Sequence, residues 1–228
     1  MPSDAYQALT QGLAEVSDLL RADPTPRGRL SPDVSLTRAV TRACVVILCS
    51  HFERYLRSVN EEAIGLVNQS GVRGESLPEE LRLQHSRVGI RKLADTQWKR
   101  RGAGLRDFAR TDAWLWSLGD KGELHHAYIL GWMKSPMPKK VMRFYQLWGV
   151  DDIFRSITRG ASTRQQLFLK TRELVEKRNN IAHGDIGTET TRKEVRVYRG
   201  TVAVFCDRAD RQLARKLKGP LRVGCPWY

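Results

Sequence analysis

The sequence predicts an all-α fold, and three observations lead to this expectation. Apolar residues recur every three or four positions over long stretches, which is the spacing of amphipathic helices. Proline and glycine are concentrated between these stretches, and helix-capping residues precede several of them. With 228 residues and 41% apolar content, the chain is large enough for a single domain with a hydrophobic core.

The first predicted helix covers residues 4–22 and follows Ser3 and Asp4, which are good capping residues. Its apolar stripe consists of Tyr6, Leu9, Leu13, Val16 and Leu20. Residues 23–33 are rich in proline and cannot continue a helix. We therefore interpret residues 1–33 as an N-terminal helical arm with a Pro-rich linker.

A long central helix is predicted from Val34 to Val67, where the apolar stripe continues without a break. Another helix is expected from Pro78, a residue that suits the first helical turn. The stretch from Trp98 to Leu130 mixes tryptophans, glycines and basic residues, which predicts short helices and loops. Pro138 opens one more short helix, and Asp151 is the expected cap of the turn that follows.

Two longer helices are predicted in the C-terminal part of the chain. Ser162 and Gln165 have the spacing of a capping box and open a helix that ends near His183. Thr191 and Glu194 repeat that spacing before the last helix, although the alternation after Glu194 could instead begin a strand. The expected boundaries are a helical domain at 34–218 and a tail at 219–228.

The chain is strongly basic, with a net charge of +14 and a pI near 10.1. Such a charge favours a polyanionic partner, above all nucleic acid, because each neutralised phosphate releases counterions. No apolar run reaches the roughly 20 residues that a membrane-spanning helix needs, so no membrane partner is expected. The polar start lacks the features of a secretory signal, which predicts a cytoplasmic location.

The cysteines and histidines indicate no metal site. In the cytoplasm the four cysteines are expected to remain thiols, and their spacing matches no zinc site. Cys44 and Cys49 lie in an apolar helical stretch and are expected to be small core residues. His125 and His126 lack acidic or cysteine partners at ligand spacing. We therefore predict no metal and no cofactor.

The most informative segment ends the helix that Ser162 opens. Arg178 falls on the same apolar stripe as Leu174 and Ile181, so its side chain is expected to point toward the bundle or a partner subunit. Asn179 and His183 are four residues apart and share the neighbouring face. One phosphate group could therefore contact all three polar side chains.

These residue types fit the cleavage of RNA without a metal ion. That reaction needs a base for the 2′-OH proton, an acid for the leaving oxygen and a cation for the phosphorane charge. Histidine titrates near neutral pH, and arginine offers a permanently charged fork for phosphate oxygens, so His183 and Arg178 suit these roles. Asn179 could orient either of them. The alternative is an ordinary helix C-terminus, where basic residues interact with exposed carbonyls.

The same residues resemble a known family. The run Arg178-Asn179-x-x-x-His183-Gly184, preceded by Leu174-Val175, is similar to the arginine–polar–spacer–histidine signature of HEPN domains. The segment His51-Phe52-Glu53-Arg54-Tyr55-Leu56 resembles the central helix of the RiboL-PSP branch of that family. Met137-Pro138, with the run that follows to Ile153, resembles this branch too. Together these patterns cover roughly residues 36 to 190.

The resemblance implies a HEPN-like helical bundle with an extra N-terminal helix and inserted short helices. It also implies a homodimer in which two Arg/His motifs form one composite cleft. Many such domains are ribonucleases of toxin–antitoxin or antiphage systems, and some bind without cutting. Glu53 would orient Arg178, whereas the residue pattern alone also allows Glu53 to pair with Arg54 or Arg57 on its own helix.

Further basic residues suit an RNA backbone. Lys99, Arg100 and Arg101 follow Trp98, whose ring could stack on a base, and Lys177 lies beside the motif. A merely solvated basic surface fits the same pattern. The last helix adds arginines that suit either RNA or an acidic antitoxin or regulatory protein. They are Arg192, Arg196, Arg199, Arg208, Arg211 and Arg215.

Two functions are therefore expected. The first is a metal-independent endoribonuclease that cleaves RNA through attack of the 2′-OH, in a toxin–antitoxin or antiphage role. The alternative is a non-catalytic module that binds nucleic acid or a protein partner through the same basic surface. A nucleotide-binding regulator is not favoured, because the chain has no Gly-rich phosphate loop.

Overall fold

A computed structural model describes residues 1–22 and 34–228, and this part of the chain is α-helical without a β-sheet. The prediction of an all-α fold is thereby confirmed. The α-helices are α1 (Asp4–Ala22), α2 (Val34–Ser70), α3 (Glu79–Asp95), α4 (Arg101–Asp112), α5 (His126–Leu130), α6 (Pro138–Leu147), α7 (Ile153–Ser156), α8 (Ala161–Ala182) and α9 (Arg192–Lys218). Short 3₁₀ helices cover Gly74–Ser76, Trp98–Arg100 and Ala113–Leu115.

The central helix α2 forms the axis of the core. It packs against α1, α5, α8 and α9, and its apolar stripe is buried along most of its length. That stripe includes Cys44, Leu48, Phe52, Tyr55, Leu56, Val59 and Ala63. The predicted long helix is therefore confirmed, and it extends three residues beyond Val67 to Ser70.

Helix α1 packs against this core, whereas the sequence led us to expect an N-terminal helical arm. Its apolar stripe is buried except for Tyr6, which is partly buried, and the helix packs along α2 and α9. Gly12 permits this close approach, because a Cβ atom there would lie 2.5 Å from the ring of His51 on α2. The predicted Pro-rich linker at 23–33 lies outside the described residues.

Two carboxylates from other helices hold the start of α1. Ser3 caps the helix by accepting a hydrogen bond from the Tyr6 amide, as predicted, and its own hydroxyl donates to buried Asp210 at 2.6 Å. The amides of Asp4 and Ala5 donate to Glu62 on α2 at 3.0 and 2.6 Å. Burial raises the pKa of both Asp210 and Glu62 above the ordinary value.

The middle of the chain consists of short helices and loops, as its composition predicts. Helix α4 packs on α3, and α3 also packs on α5 and α6. Between α3 and α4, buried His85 donates from Nδ1 to Asp112 at 2.7 Å. The Nε2 atom of His85 accepts from the His125 amide at 2.9 Å, so this imidazole is neutral in the folded protein. Burial lowers the pKa of His85 accordingly.

The helix caps agree with the sequence in part. Thr191 and Glu194 form the predicted capping box, and α9 is helical from Arg192, which excludes the strand alternative. Asp152, rather than Asp151, caps α7 by accepting from the Arg155 amide at 3.0 Å. The box predicted at Ser162 is absent because α8 begins two residues earlier than an N-cap at Ser162 requires. Its first residue is Ala161, and its N-cap is Gly160, without a side-chain bond.

The C-terminal segment is not helical, as predicted, but it packs on the domain. Leu221, Val223, Cys225 and Trp227 are buried, whereas the residues between them are exposed. This alternation is that of an extended segment with one face on the core. All four cysteines are buried, and none of them forms a disulfide bond with another. None of the helices described is long and apolar enough to cross a membrane.

Candidate active site at the end of helix α8

The last turn of α8 ends in a well-defined turn at His183. The Gly184 amide donates to the Ile181 carbonyl at 3.1 Å, and the Asp185 amide donates to the Asn180 carbonyl at 3.0 Å. These two bonds form a Schellman motif, which requires a left-handed residue directly after the C-cap. Gly184 has a φ of +83° and fills that position. The helix therefore stops immediately after the motif and leaves His183 at its end.

Arg178 points toward the bundle, as its place on the apolar stripe predicts. Only 21% of its side chain is exposed. Its Nη2 lies 3.4 Å from Oε2 of Glu53, and its Nε donates to Sγ of Cys49 at 3.5 Å. The guanidinium is therefore held between α2 and α8 from two sides, while part of it remains open to solvent.

Glu53 bridges two arginines. Its Oε2 faces Arg178, and its Oε1 lies 3.2 Å from Nη2 of Arg57, one turn along α2. Arg57 is fixed in turn, because the same Nη2 donates to the Met133 carbonyl at 2.8 Å. The two interpretations that the sequence left open for Glu53, contact with Arg178 and an ion pair on its own helix, therefore occur together. The carboxylate is anchored on one side and is placed to orient Arg178 on the other.

Cys49 is a neighbour of the motif that the sequence did not assign to the site. It is fully buried in α2, and burial raises the pKa of its thiol. A neutral sulfur is a weak acceptor, so Cys49 supports the position of Arg178 without competing for its charge. The signal for this contact was the spacing of Cys49 and Glu53, which lie one turn apart on one face of α2.

His183 and Asn179 lie on the outer side of the same turn. The His183 amide donates to the Asn179 carbonyl at 2.9 Å, which places the two residues one turn apart. Asn179 is half-buried and His183 is exposed. Within residues 1–22 and 34–228, neither side chain makes a hydrogen bond or ion pair. The imidazole is therefore accessible to a ligand from solvent.

The loop after the motif is fastened to α2. Arg42 donates to the carbonyls of Asp185 and Thr188 at 2.8 and 3.1 Å, and Arg38 donates to the Ile186 carbonyl at 2.8 Å. The Asp185 carboxylate accepts from the Thr188 hydroxyl at 2.6 Å, a bond that lowers the pKa of Asp185. Two arginines that the sequence did not single out thus fix the position of the helix end.

Lys177 does not present its charge as the sequence predicted. Its ammonium group donates to Glu194 at 2.7 Å and to the Glu189 carbonyl at 2.9 Å, and it lies 6.0 Å from the centre of the Tyr198 ring. These contacts tie α8 to the loop and to α9. The role of Lys177 in this structure is therefore the support of the motif rather than an open contact for phosphate.

Lys99, Arg100 and Arg101 lie apart from the motif. They belong to the 3₁₀ helix Trp98–Arg100 and the start of α4, which packs on α3, whereas α8 packs on α2, α6, α7 and α9. Arg101 caps the end of α3 by donating to the carbonyls of Thr96 and Ala94 at 2.8 and 3.1 Å. Lys99 and Arg100 are exposed beside Trp98, which is 80% exposed. Of the three basic residues, Lys99 and Arg100 therefore remain open contacts, whereas Arg101 supports the end of α3.

The comparisons with known proteins add no relative. No family model matches the chain, and no curated protein or solved structure shows significant similarity to it. The resemblance to HEPN domains therefore rests on the quoted residues alone. Among the described residues, no group of three or more His, Cys, Asp or Glu side chains could hold a metal ion.

Proposed function

We propose that this protein is a metal-independent endoribonuclease of the HEPN type whose chemistry lies at Arg178, Asn179 and His183. The observation that supports the proposal is the contrast between two residues near the end of α8. Arg178 is held by Glu53 at 3.4 Å, while His183, five residues further along the chain, is exposed at the C-cap of the same helix. A fixed cation and an accessible imidazole are the two groups that cleavage through the 2′-OH needs.

In the proposed reaction the 2′-oxygen attacks the adjacent phosphorus. The bond from O2′ to phosphorus forms as the bond from phosphorus to O5′ breaks, which leaves a 2′,3′-cyclic phosphate and a 5′-hydroxyl. His183 accepts the 2′-OH proton, and an acid returns a proton to O5′. Arg178 stabilises the negative charge of the phosphorane, and Asn179 orients the phosphate.

A homodimer would supply the acid, because one imidazole cannot accept and donate a proton in the same step. An apolar side chain beside the motif supports such an interface. Ile186 is 78% exposed in the loop that Arg38 and Arg42 fasten to α2. Light scattering is expected to give twice the mass of one chain, and Ile186→Asp is expected to shift the protein toward the monomer. A monomer at working concentrations would contradict the two-imidazole mechanism.

The test of the activity is the cleavage of total RNA in EDTA by the wild type, His183→Ala and His126→Ala. His126 is a matched control, because it is an exposed histidine on α5 whose only ion pair with a described residue is with Glu61, at 3.4 Å. We expect the wild type and His126→Ala to cut and His183→Ala to be inactive. Circular dichroism checks that all three are folded. Equal cutting by His183→Ala would contradict the assignment.

The second candidate function is a non-catalytic module that binds RNA or a protein. One observation favours it: Arg178 and Lys177 are both paired with carboxylates, so they also have a structural role. Turnover separates the candidates. A catalyst cuts many RNA molecules per protein molecule, whereas a binder protects RNA in proportion to its own amount.

A further inference from the structure

A second basic site lies at the other end of α8. A groove of about 250 Å³ runs between the segment that follows α7 and one face of α9. We call it the α7–α9 groove. Its lining residues are Ser156, Ile157, Thr158, Arg159, Arg208, Arg211, Gln212 and Arg215.

Most of the positive charge in this groove is uncompensated. Arg211 pairs with Asp207 at 3.1 Å. In the part of the chain that the structure describes, Arg159, Arg208 and Arg215 form no ion pair, and all three are exposed. The neutral contacts of Arg208 and Arg215, to the Ile157 carbonyl at 3.1 Å and to Gln212 at 3.4 Å, hold their guanidinium groups without neutralising them.

The arrangement suits repeated phosphates better than a protein. Arg208, Arg211 and Arg215 are spaced by three and four residues, so they form one row along α9, and Arg159 faces them from the other wall. Guanidinium groups bind phosphate oxygens through two parallel hydrogen bonds. A protein interface would need apolar or aromatic anchors, yet the only large apolar residue in the lining, Ile157, is buried.

The groove and the motif are separated by the length of one helix. Arg159 precedes the first residue of α8, and His183 follows the last. The 22 residues of α8 place the two sites about 33 Å apart, at a rise of about 1.5 Å per residue. A stacked RNA strand needs roughly ten nucleotides to cover that distance, at about 3.4 Å per nucleotide.

We propose that the α7–α9 groove binds the sugar–phosphate backbone of RNA about ten nucleotides from the phosphate at Arg178 and His183. The inference rests on the proposed function for the role of Arg178 and His183 as the cleavage site, but RNA binding by the groove does not require cleavage. The substrate class that follows is RNA long enough to reach both ends of α8.

The experiment measures binding of fluorescein-labelled 2′-O-methyl RNA, which lacks the attacking hydroxyl, by fluorescence anisotropy. The wild type, Arg159→Gln/Arg215→Gln and Arg21→Gln/Arg73→Gln are compared on a long and a short oligonucleotide, roughly 20 and 5 nucleotides, chosen to exceed or fall below the span of α8. The last variant is a matched control, because it removes two exposed arginines from α1 and from the segment after α2. Thermal melts check the folding of each protein.

In the groove variant, we expect the ratio of long-RNA to short-RNA affinity to fall about tenfold. We also expect the magnitude of the slope of log K against log salt for the long RNA to decrease by about 1.4, because two phosphate contacts are lost and each contributes about 0.7. The control keeps the wild-type ratio. Arg159→Lys/Arg215→Lys is expected to restore part of the loss, since it keeps the charge.

An unchanged ratio in the groove variant would overturn the proposal, as would an equal loss for both RNA lengths. Loss of binding to a poly-glutamate peptide with undiminished RNA binding would also overturn it and would assign the groove to an acidic protein. A wild type that binds the long RNA in this pattern but cuts no RNA would instead remove the proposed ribonuclease activity and leave the groove as an RNA site.

Discussion

The two ends of helix α8 hold arginines in opposite states. At the C-terminal end, Arg178 is mostly buried and fixed by Glu53 and Cys49. At the N-terminal end, Arg159 and Arg215 are exposed and form no ion pair with any residue of 1–22 or 34–228. A fixed guanidinium suits a transition state, which must be bound in one defined geometry, whereas exposed guanidinium groups suit a flexible polyanion. Net charge alone therefore does not locate a site, because ion pairing distinguishes the fixed arginine from the exposed ones.

The largest expected effect is at the fixed end. Arg178→Gln should lower kcat for RNA cleavage by about 100-fold to 1,000-fold, because it removes the charge that stabilises the phosphorane. Arg159→Gln should change kcat little and act on KM for long RNA. Steady-state kinetics on one long substrate check both. A kcat loss of the same size in the two variants would remove the distinction between the two ends.

A smaller loss is expected at Glu53, which positions Arg178. Glu53→Gln keeps the shape but removes the charge, and we expect kcat to fall about tenfold to 100-fold because the guanidinium loses its fixed orientation. Glu61→Gln is the matched control, an exposed glutamate two turns further along α2. If Glu53 acts only on stability, its variant will show a lower melting temperature and an unchanged kcat.

Gly184 tests whether the end of the helix must be sharp. At a φ of +83°, Gly184→Ala should cost about 1 to 2 kcal/mol in the free energy of unfolding, although no atom blocks the new methyl group. Urea unfolding measures this loss. Gly200→Ala on α9 is the control, because its surroundings are also open and an alanine should stabilise a helix by about 1 kcal/mol. Equal effects of the two changes would contradict the role of the Schellman turn.

The pH dependence of the free energy of unfolding tests the role of His85, which belongs to the fold and not to the candidate active site. Burial lowers the pKa of His85, so below the ordinary histidine value of 6.5 the unfolded chain binds the proton more readily than the folded protein. This contribution to stability is present above pH 6.5 and is lost as the pH falls through the lowered pKa. Urea unfolding between pH 8 and pH 5, at roughly one-unit steps, should show the loss. His85→Asn should flatten it, and an unchanged slope would assign the loss to another group.

Local patterns predicted much of the fold, and tertiary contacts account for the rest. The stripe of α2, the Pro138 start of α6 and the Thr191 capping box depend on neighbouring residues, and each occurs as predicted. The packing of α1 could not be predicted, because Gly12 and Ser3 depend on residues that are distant in sequence. The apolar period of three to four residues predicts that α1 is a helix, but it does not predict which face of the bundle α1 packs against.

The candidate site divides in the same way. The inward direction of Arg178 followed from the apolar stripe, and its contact with Glu53 was expected only from the resemblance. From the sequence we expected Lys177 and Arg101 to be open contacts for phosphate. A sequence pattern does not show whether a basic side chain is solvated or donates to a group of the protein. The partners of these two cations are Glu194 in the first turn of α9 and the Thr96 carbonyl at the C-cap of α3, and these contacts depend on how the helices pack and end.

The chemistry of the product ends is the decisive test of our proposal that the end of α8 cleaves RNA through the 2′-OH. A defined long RNA is incubated in EDTA with a tenth of its molar amount of protein, and the fragments are analysed by mass spectrometry. We expect cleavage of most of the RNA, with 2′,3′-cyclic phosphate and 5′-hydroxyl ends, and no cleavage after a nucleotide that carries a 2′-deoxy sugar. Fragments with 5′-phosphate ends, or cutting at the 2′-deoxy position, would contradict the mechanism.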